Sequence, residues 1–167
     1  AGVNLEDQVI PKRCGHLEGK VLLPFDDAVA KVAAACDARR DKDFVINART
    51  DALGVLGIDE AIRRGNAFLD AGATMVFVEG ANSVENIRAA VAGIRGPVAV
   101  NLVEGGKSPQ NMTFAELEKL GVARVSVPSS AMQATIKAVR TVYARIREQG
   151  GIGGYGDMLA GFGIAQR

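Results

Sequence analysis

The chain has 167 residues, about the size of one domain, and its 48% hydrophobic and 23% charged side chains exclude an intrinsically disordered protein. Its 20 basic and 19 acidic side chains give a net charge of +1, too small a basic surplus to favour nucleic-acid binding. We expect no membrane span, no signal peptide and a cytoplasmic location, because the sequence has no run of about 20 apolar residues, no basic leader and only two cysteines.

Short β-rich runs alternate with helical patterns along the chain. The runs at 2–5, 44–48, 74–78, 97–100 and 122–127 are predicted strands. Strands that alternate with helices form a parallel sheet with right-handed crossovers. The pattern therefore predicts an α/β fold, either an open doubly wound sheet or part of a (β/α)8 barrel.

Each predicted strand is followed by polar or charged side chains. In a barrel all of them would face one pocket, whereas in an open sheet only those near the switch point would meet. No phosphate-binding glycine motif follows any strand, so the strand ends favour the barrel. These residues are Glu6, Arg49, Glu79, Asn101 and the pair Ser129 and Ser130.

The helical patterns carry start and stop signals. Asp26 or Asp27 is a candidate cap for the first helix, and Ser83 for a later one. Thr-Phe-Ala-Glu at 113–116 is a capping-box sequence. The longest pattern, at 130–149, has an apolar stripe at helical spacing and ends at two glycines.

The domain organisation follows from these elements. We expect residues 1–150 to form a partial barrel domain and the glycine-rich residues 151–167 to form a tail. Five strands cannot close an eight-stranded barrel, which typically needs about 250 residues. The sequence, which begins with Ala1 rather than Met, therefore predicts that about three βα units are absent on the N-terminal side.

The segment after the first predicted strand is the strongest local signal for chemistry. Lys12 and Arg13 precede Cys14, and Gly15 and His16 follow it. Neighbouring cations favour the ionised form of a thiol, so Cys14 can serve as a general acid, a general base or a nucleophile. Gly15 would leave its backbone N–H open to a substrate carboxylate. The alternative is a basic surface loop with an inert cysteine, and a single histidine argues against a histidine-rich metal site.

Two other strand ends carry weaker signals. Glu6 and Asp7 form either a carboxylate pair of the kind that holds Mg²⁺ or an ordinary polar strand end. Arg49 follows a buried run, where its fork suits a substrate carboxylate or a structural salt bridge, for instance with Asp51. Both alternatives stay open at this point.

Several short strings form a family pattern when they are taken together. They are Leu-Glu-Asp-Gln at 5–8, Pro-Lys-Arg-Cys-Gly-His at 11–16, Gly-Lys at 19–20, Ala-Arg-Thr-Asp-Ala at 48–52, Ala-Gly-Ala at 71–73, Phe-Val-Glu at 77–79 and Asn-Leu-Val-Glu-Gly-Gly-Lys-Ser-Pro at 101–109. In this order they resemble the isocitrate lyase and phosphoenolpyruvate mutase superfamily. The cysteine string is similar to the lyase branch, which includes 2-methylisocitrate lyase, 2,3-dimethylmalate lyase, the petal-death lyase and oxaloacetate hydrolase, since mutase members generally lack this cysteine.

The resemblance implies a fold, a reaction and a cofactor. The family fold is a (β/α)8 barrel, usually in a homotetramer that exchanges the last helix between subunits. The implied activity is a carbon–carbon lyase that depends on Mg²⁺, or on Mn²⁺ in its place. It would cleave a small 2-hydroxy di- or tricarboxylate to a 2-oxo acid such as pyruvate and a second carboxylate, by retro-aldol chemistry.

The resemblance also implies roles for individual residues. Cys14 and Glu79 would be catalytic: Cys14 would protonate the leaving fragment, and Glu79 would lie near the reacting hydroxyl group. Glu6 would hold the metal through water, and the main aspartate ligands of the family precede residue 1. The substrate would be bound by Lys12, Arg13, Gly15, His16, Arg49, Asn101 and Ser130.

Two alternative functions remain open from the sequence. The string at 103–109 is closer to the dimethylmalate lyase and mutase pattern, and a serine near Ser129 and Ser130 distinguishes hydrolase members from lyases. The second hypothesis is therefore hydrolysis or decarboxylation of oxaloacetate in the same pocket. The third is a truncated, non-catalytic barrel remnant that assembles with a partner chain or with itself.

Overall fold

The computed structural model describes residues 1–161 and 163–164. Strands and helices alternate through its first 126 residues, as the sequence predicts. The strands are β1 Gly2–Glu6, β2 Val45–Thr50, β3 Met75–Val78, β4 Val98–Asn101 and β5 Arg124–Ser126. The helices are α1 Phe25–Asp37, α2 Leu53–Leu56, α3 Ile58–Asp70, α4 Val84–Gly93, α5 Phe114–Lys119 and α6 Ser130–Gln149, followed by a short 3₁₀ helix, Gly156–Met158.

The five strands form one parallel sheet in the order β1-β2-β3-β4-β5. Every crossover therefore moves one strand further in the same direction. A doubly wound sheet reverses its order at a switch point, and the sheet of the described residues has no such reversal. The sheet curls into half of a barrel, which confirms the predicted (β/α)8 type with about five βα units.

One face of the sheet packs against the helices. Side chains alternate between the two faces along a strand, and the apolar half of β2, β3 and β4 faces α1, α3 and α4. Phe68 of α3 is the largest fully buried side chain, and burial of such a side chain stabilises the fold by about 1.5–3 kcal/mol. The buried apolar strand residues on this face are Ile46, Ala48, Val76, Val78, Val98 and Val100.

The other face of the sheet carries polar side chains toward its carboxyl edge. The register places Glu6 of β1 opposite Arg49 of β2, and Arg49 opposite Phe77 of β3. Register partners in adjacent strands lie on the same face. The helices thus cover one side of the sheet, and Glu6 and Arg49 lie on the other.

Helix starts agree with the sequence in two cases and differ in a third. The Thr113 hydroxyl accepts a hydrogen bond from the Glu116 backbone N–H, and the Glu116 carboxylate accepts one from Thr113 N–H, which confirms the capping box. Ser83 caps α4. The first helix begins earlier than predicted, after Pro24, and Asp26 and Asp27 lie in its first turn, where carboxylates interact favourably with the helix dipole.

The chain divides into two compact units, Ala1–Val127 and Pro128–Arg167. The second unit contains α6, which ends at Gly150 in a left-handed conformation as the glycines predict. The apolar stripe of α6, at Met132, Ile136, Val139 and Tyr143, is exposed. The predicted boundary at residue 150 stays a prediction. Within residues 1–161 and 163–164, no helix is long and apolar enough to cross a membrane.

Candidate active site

Arg49 lies at the centre of the charged groups that follow the strands. Its guanidinium donates to both carboxylate oxygens of Asp51, at 2.9 and 3.1 Å. Its Nη1 lies 3.1 Å from Glu79 Oε2, and its Nε lies 3.5 Å from Glu6 Oε2. The ring of Phe77 lies 5.6 Å from the guanidinium carbon. Burial alone would lower the pKa of Arg49, but the hydrogen bonds from Arg49 to Asp51 and the charges of Glu79, Asp51 and Glu6 raise it above its ordinary value.

Glu79, His16 and Asn101 form the second part of the site. Asn101 Nδ2 donates to Glu79 Oε1 at 3.1 Å, and His16 Nε2 lies 3.3 Å from the same oxygen. The Lys107 backbone N–H donates to His16 Nδ1 at 3.0 Å, so the neutral ring carries its proton on Nε2. Asn101 Oδ1 is buried and accepts no hydrogen bond from the part of the chain that the structure describes. The site therefore holds one buried acceptor that the described residues leave unsatisfied.

The segment between β1 and α1, residues 9–21, is named the Cys14 loop. Its two ends are joined, because Gln8 and Leu22 form an antiparallel bridge and Val9 N–H donates to the Val21 carbonyl at 2.9 Å. The Gln8 side chain also holds the loop from inside: it accepts from Arg13 N–H and donates to the Arg13 carbonyl, each at 2.9 Å. The loop therefore begins and ends at neighbouring positions, which these hydrogen bonds hold together.

Gly15 brings the Cys14 loop directly onto Glu79. A Cβ atom at Gly15 would overlap the Glu79 side chain, so only glycine allows this approach. The preceding residue, Cys14, is exposed. The structure therefore places the thiol on a segment that is packed against the pocket.

The remaining predicted binding residues of the loop are mostly exposed. Lys12 Nζ lies 3.4 Å from Glu6 Oε2, and its side chain is 52% exposed. Arg13 Nη1 donates to the Glu18 carbonyl at 3.4 Å. The Lys107 ammonium pairs with Glu18, and this hydrogen bond lowers the pKa of Glu18. Lys107 thereby joins the loop after β4 to the Cys14 loop.

Ser130 is the first residue of α6, in the second unit, and Ser129 precedes it. The structure brings together Glu6, Gly15, His16, Arg49, Glu79 and Asn101. The predicted binding role of Ser130 stays a prediction.

Asp7 does not pair with Glu6 as the sequence hypothesis of a carboxylate pair requires. The two are consecutive at the end of a strand and point to opposite sides. Asp7 is buried on the helix side, where it accepts hydrogen bonds from the Thr50 hydroxyl at 2.8 Å and the Asp51 N–H at 2.9 Å. Arg64 of α3 lies 3.2 Å from the same carboxylate. Asp7 is therefore a structural group that holds the turn after β2.

Sequence reasoning missed Arg64 and Lys20. Both are buried, and each neutralises an aspartate behind the pocket: Arg64 pairs with Asp7, and Lys20 Nζ lies 3.7 Å from Asp51 Oδ1. The only signal for Arg64 is its place on the buried face of α3, three residues after Ala61 and four before Phe68. Burial at such a position requires a charged partner.

The pKa of Asp7 gives a testable pH dependence. Burial raises it above the ordinary value of 3.8, and this outweighs the hydrogen bonds from Asp51 and Thr50 and the charge of Arg64. The folded chain then binds this proton more tightly than the unfolded chain. As the pH rises from 3.8 through the raised pKa, the contribution of Asp7 to the free energy of unfolding falls, and then becomes constant.

We expect Asp7→Asn to remove this titration. The free energy of unfolding of the unmodified chain minus that of Asp7→Asn should therefore decrease as the pH rises from 3.8 through the raised pKa of Asp7. Urea unfolding from about pH 3.5 to about pH 7 measures it, with the exposed Asp43→Asn as the control for loss of one carboxylate. A difference that stays flat or increases would contradict the assignment.

The donor set does not form a magnesium site by itself. In the ranges 1–161 and 163–164, no group of three or more His, Cys, Asp or Glu side chains is placed to hold a metal ion. Glu6 is 21% exposed and already shares its carboxylate with Arg49 and Lys12. Mg²⁺ demands a near-octahedral set of oxygens, which these residues do not supply.

Comparison with known proteins places this site in a family. The family model for phosphoenolpyruvate phosphomutase matches residues 1–147. The chain is 40% identical over 150 residues to 2-methylisocitrate lyase of Aeropyrum pernix, covering 90% of this chain and 48% of that protein. It is 37% identical over 162 residues to 2,3-dimethylmalate lyase of Eubacterium barkeri, covering 97% and 56%. The chain thus spans about half the length of the curated relatives it matches.

Solved structures give the same result. An oxaloacetate acetylhydrolase in complex with 3,3-difluorooxalacetate matches with a TM-score of 0.90 and 36% identity, over 99% of this chain and 56% of that one. A phosphonopyruvate hydrolase in complex with oxalate and Mg²⁺ matches with a TM-score of 0.78 and 34% identity, over 96% and 56%. The half-barrel, the motif order and these matches agree, and the chain belongs to the phosphoenolpyruvate mutase and isocitrate lyase superfamily.

Proposed function

We propose that the chain supplies the Cys14 loop and the Arg49–Glu79 pocket of a carbon–carbon lyase. Its substrate would be a small 2-hydroxy di- or tricarboxylate of the 2-methylisocitrate or dimethylmalate kind. The products would be a 2-oxo acid such as pyruvate and a second carboxylate. The observation that carries the proposal is the close packing of Gly15 on Glu79, because it brings the segment with the exposed Cys14 against the Arg49–Glu79 site. The lyase names of the relatives support the reaction class.

The pocket offers groups for both ends of such a substrate. Arg49 is held in one orientation by Asp51 and would bind the carboxylate of the oxo-acid portion. Lys12, Arg13 and the backbone at Gly15 and His16 would bind the carboxylate of the other portion. Asn101 Oδ1, buried and without a partner among the described residues, would accept from the 2-hydroxyl group.

The bond cleavage requires one proton to leave and one to arrive. Glu79 would take the proton of the 2-hydroxyl group as that oxygen becomes a carbonyl. The electron pair of the broken carbon–carbon bond would pass to the departing fragment as an enolate-type carboxylate. The Cys14 thiol would then protonate its carbon, and solvent would return the proton from Glu79 to the thiolate.

The described residues supply only part of a donor set for a metal ion. We propose that Glu6 contacts Mg²⁺, or Mn²⁺, only through water, and that the other ligands come from residues this sequence does not contain. The chain of 167 residues should then bind Mg²⁺ weakly, with a Kd above about 1 mM. Titration calorimetry at low salt measures this, with Glu6→Gln as the control. A Kd below about 0.1 mM that Glu6→Gln weakens would contradict it.

A substrate panel tests the reaction class. Proton NMR would follow 2-methylisocitrate, 2,3-dimethylmalate and oxaloacetate incubated with the protein and Mg²⁺. We expect a 2-oxo acid and a carboxylate from one of the first two. Acetate and oxalate from oxaloacetate alone would establish the hydrolase instead. That second candidate is favoured by the TM-score of 0.90 to oxaloacetate acetylhydrolase.

The assembly belongs to the proposal as well. We propose a cytoplasmic homo-oligomer, a tetramer, that binds a small carboxylate substrate and neither nucleic acid nor membrane. The exposed apolar stripe of α6 supports self-association. Sedimentation and an intact mass of the natural protein test this against the non-catalytic remnant, which predicts a mass near 17.5 kDa and no turnover in the panel.

A further inference from the structure

Lys20 is the one residue of the Cys14 loop whose ammonium group is buried among the described residues. Its side chain is 4% exposed. The ammonium donates to the carbonyl oxygen of Gly15, five residues earlier in the same loop. A Cβ at Gly54 of α2 would lie 3.0 Å from Lys20 Nζ, so the small residue there leaves room for the ammonium. The charge therefore lies between the loop and the start of α2.

Asp51 is the anchor on the other side of this ammonium. Its carboxylate is fully buried, lies 3.7 Å from Lys20 Nζ and also accepts two hydrogen bonds from Arg49. Arg49 also forms an ion pair with Glu79, which is a third contact with a carboxylate oxygen in addition to the two from Asp51. Loss of Lys20 would therefore leave Arg49 in place. It would leave the Gly15 carbonyl without its buried donor, and charge-assisted hydrogen bonds of this kind are the strong ones.

The distribution of charge also indicates that Lys20 holds the loop in place. Three buried carboxylates, of Asp7, Asp51 and Glu79, lie in and behind the site, and each has a cation within 4 Å: Arg64, Lys20 or Arg49. The partly exposed Glu6 also pairs with Arg49. Arg64 and Arg49 belong to the helices and the sheet. Lys20 is the only one of the three cations that belongs to the loop. Docking of the loop thus brings a second cation to the buried Asp51 carboxylate, which it shares with Arg49.

We propose that Lys20 is a positioning residue: it holds the Cys14 loop on the pocket by bridging the Gly15 carbonyl to the Asp51 carboxylate. The loop is the segment that carries the proposed proton donor, so the catalytic meaning of this role rests on the proposed function. The docking itself does not depend on any reaction. Lys20 touches no reacting atom, and it acts through the backbone next to Cys14.

Hydrogen–deuterium exchange of the whole chain tests the docking. In Lys20→Met, amides at 9–19 should exchange about tenfold faster, since one charge-assisted hydrogen bond is lost. Amides of β2 and β3 should keep their rates. Lys42→Met, an exposed lysine outside the site, is the control for the loss of one charge. Lys20→Gln is a milder variant that keeps a donor for Gly15 but no charge for Asp51, and it should give a smaller acceleration.

Two outcomes would overturn the proposal. One is unchanged exchange at 9–19 in both Lys20 variants. The other is equal acceleration in 9–19 and in β2, which would make Lys20 a general stabilising residue. Should Lys20→Met fail to fold, the comparison is made with Lys20→Gln alone.

Kinetics add a readout that a structural role would not move. With the substrate that the panel identifies, Lys20→Met should lower kcat, because the proposed proton donor is misplaced. It should also raise KM, because the same loop carries the proposed binding residues Lys12, Arg13, Gly15 and His16. A rise in KM with unchanged kcat would contradict the positioning role. A panel without turnover would remove the proposed function, and the exchange result would still decide the role of Lys20.

Discussion

Cys14→Ser is expected to lower kcat by about 10²–10⁴-fold in the protein assayed with its substrate, the range typical of a lost general acid. A serine hydroxyl is a far weaker acid than a thiol and would not deliver a proton to the departing carbon. The side chain is exposed, so the free energy of unfolding should change by less than about 0.5 kcal/mol. Steady-state kinetics and urea unfolding of the same preparation measure both effects.

Cys36→Ser is the matched control for this variant. Cys36 packs against the apolar cluster beneath α1, and burial raises the pKa of its thiol. The substitution should cost some stability and leave kcat unchanged. Near-normal turnover in Cys14→Ser would remove the thiol from the reaction, and the loop would then be a binding segment only.

Gly15→Ala is expected to have the second largest effect, because it acts on the contact that closes the pocket. A methyl group at this position would overlap Glu79, whose carboxylate is fixed by Arg49 and Asn101. Either the loop or Glu79 must move. A displacement of about 1 Å in a reacting group lowers turnover by about 10²-fold, and overpacking costs about 1–3 kcal/mol of stability. Kinetics, urea unfolding and amide exchange at 9–19 report the two effects separately.

Gly151→Ala controls for the change from glycine to alanine, since a Cβ there meets nothing within 4 Å. A double variant tests the cause. If the clash with Glu79 is responsible, the double variant Gly15→Ala, Glu79→Ala should lose less free energy of unfolding than the two single variants lose together. Strict additivity would show that the methyl group acts elsewhere.

The fold was predictable because its signals are local. Buried apolar runs at 44–48 and 74–78 mark β2 and β3 to within two residues, and Thr113 with Glu116 marks the start of α5. The first helix begins two or three residues earlier than predicted, because its N-cap is Pro24, which has no N–H and makes no side-chain cap, rather than Asp26 or Asp27. The four-residue α2 was not predicted, since so short a helix has no periodicity to detect.

The site was predictable only in part. Polar residues directly after strands, such as Glu79 and Asn101, converge because parallel strands share a carboxyl edge. The partners that hold them come from distant positions: Arg64 reaches Asp7 across 57 residues. One sequence holds no information on such a pairing except the presence of a charge on a buried helix face. Of the two alternatives for Glu6 and Asp7, the structure favours the polar strand end over the carboxylate pair, since neighbours in sequence point apart in a strand.

The joined ends of the Cys14 loop have a consequence for how this architecture can change. Leu23 N–H donates to the Asp7 carbonyl at 2.8 Å, beside the Gln8–Leu22 bridge, so the loop begins and ends at almost one point between β1 and α1. The apolar clusters take their residues from outside 9–21. A graft of a different loop onto these two ends would leave the hydrophobic core untouched. Exchange of this loop would therefore leave the apolar core intact, but the new loop would have to supply a cation for the buried Asp51 in place of Lys20.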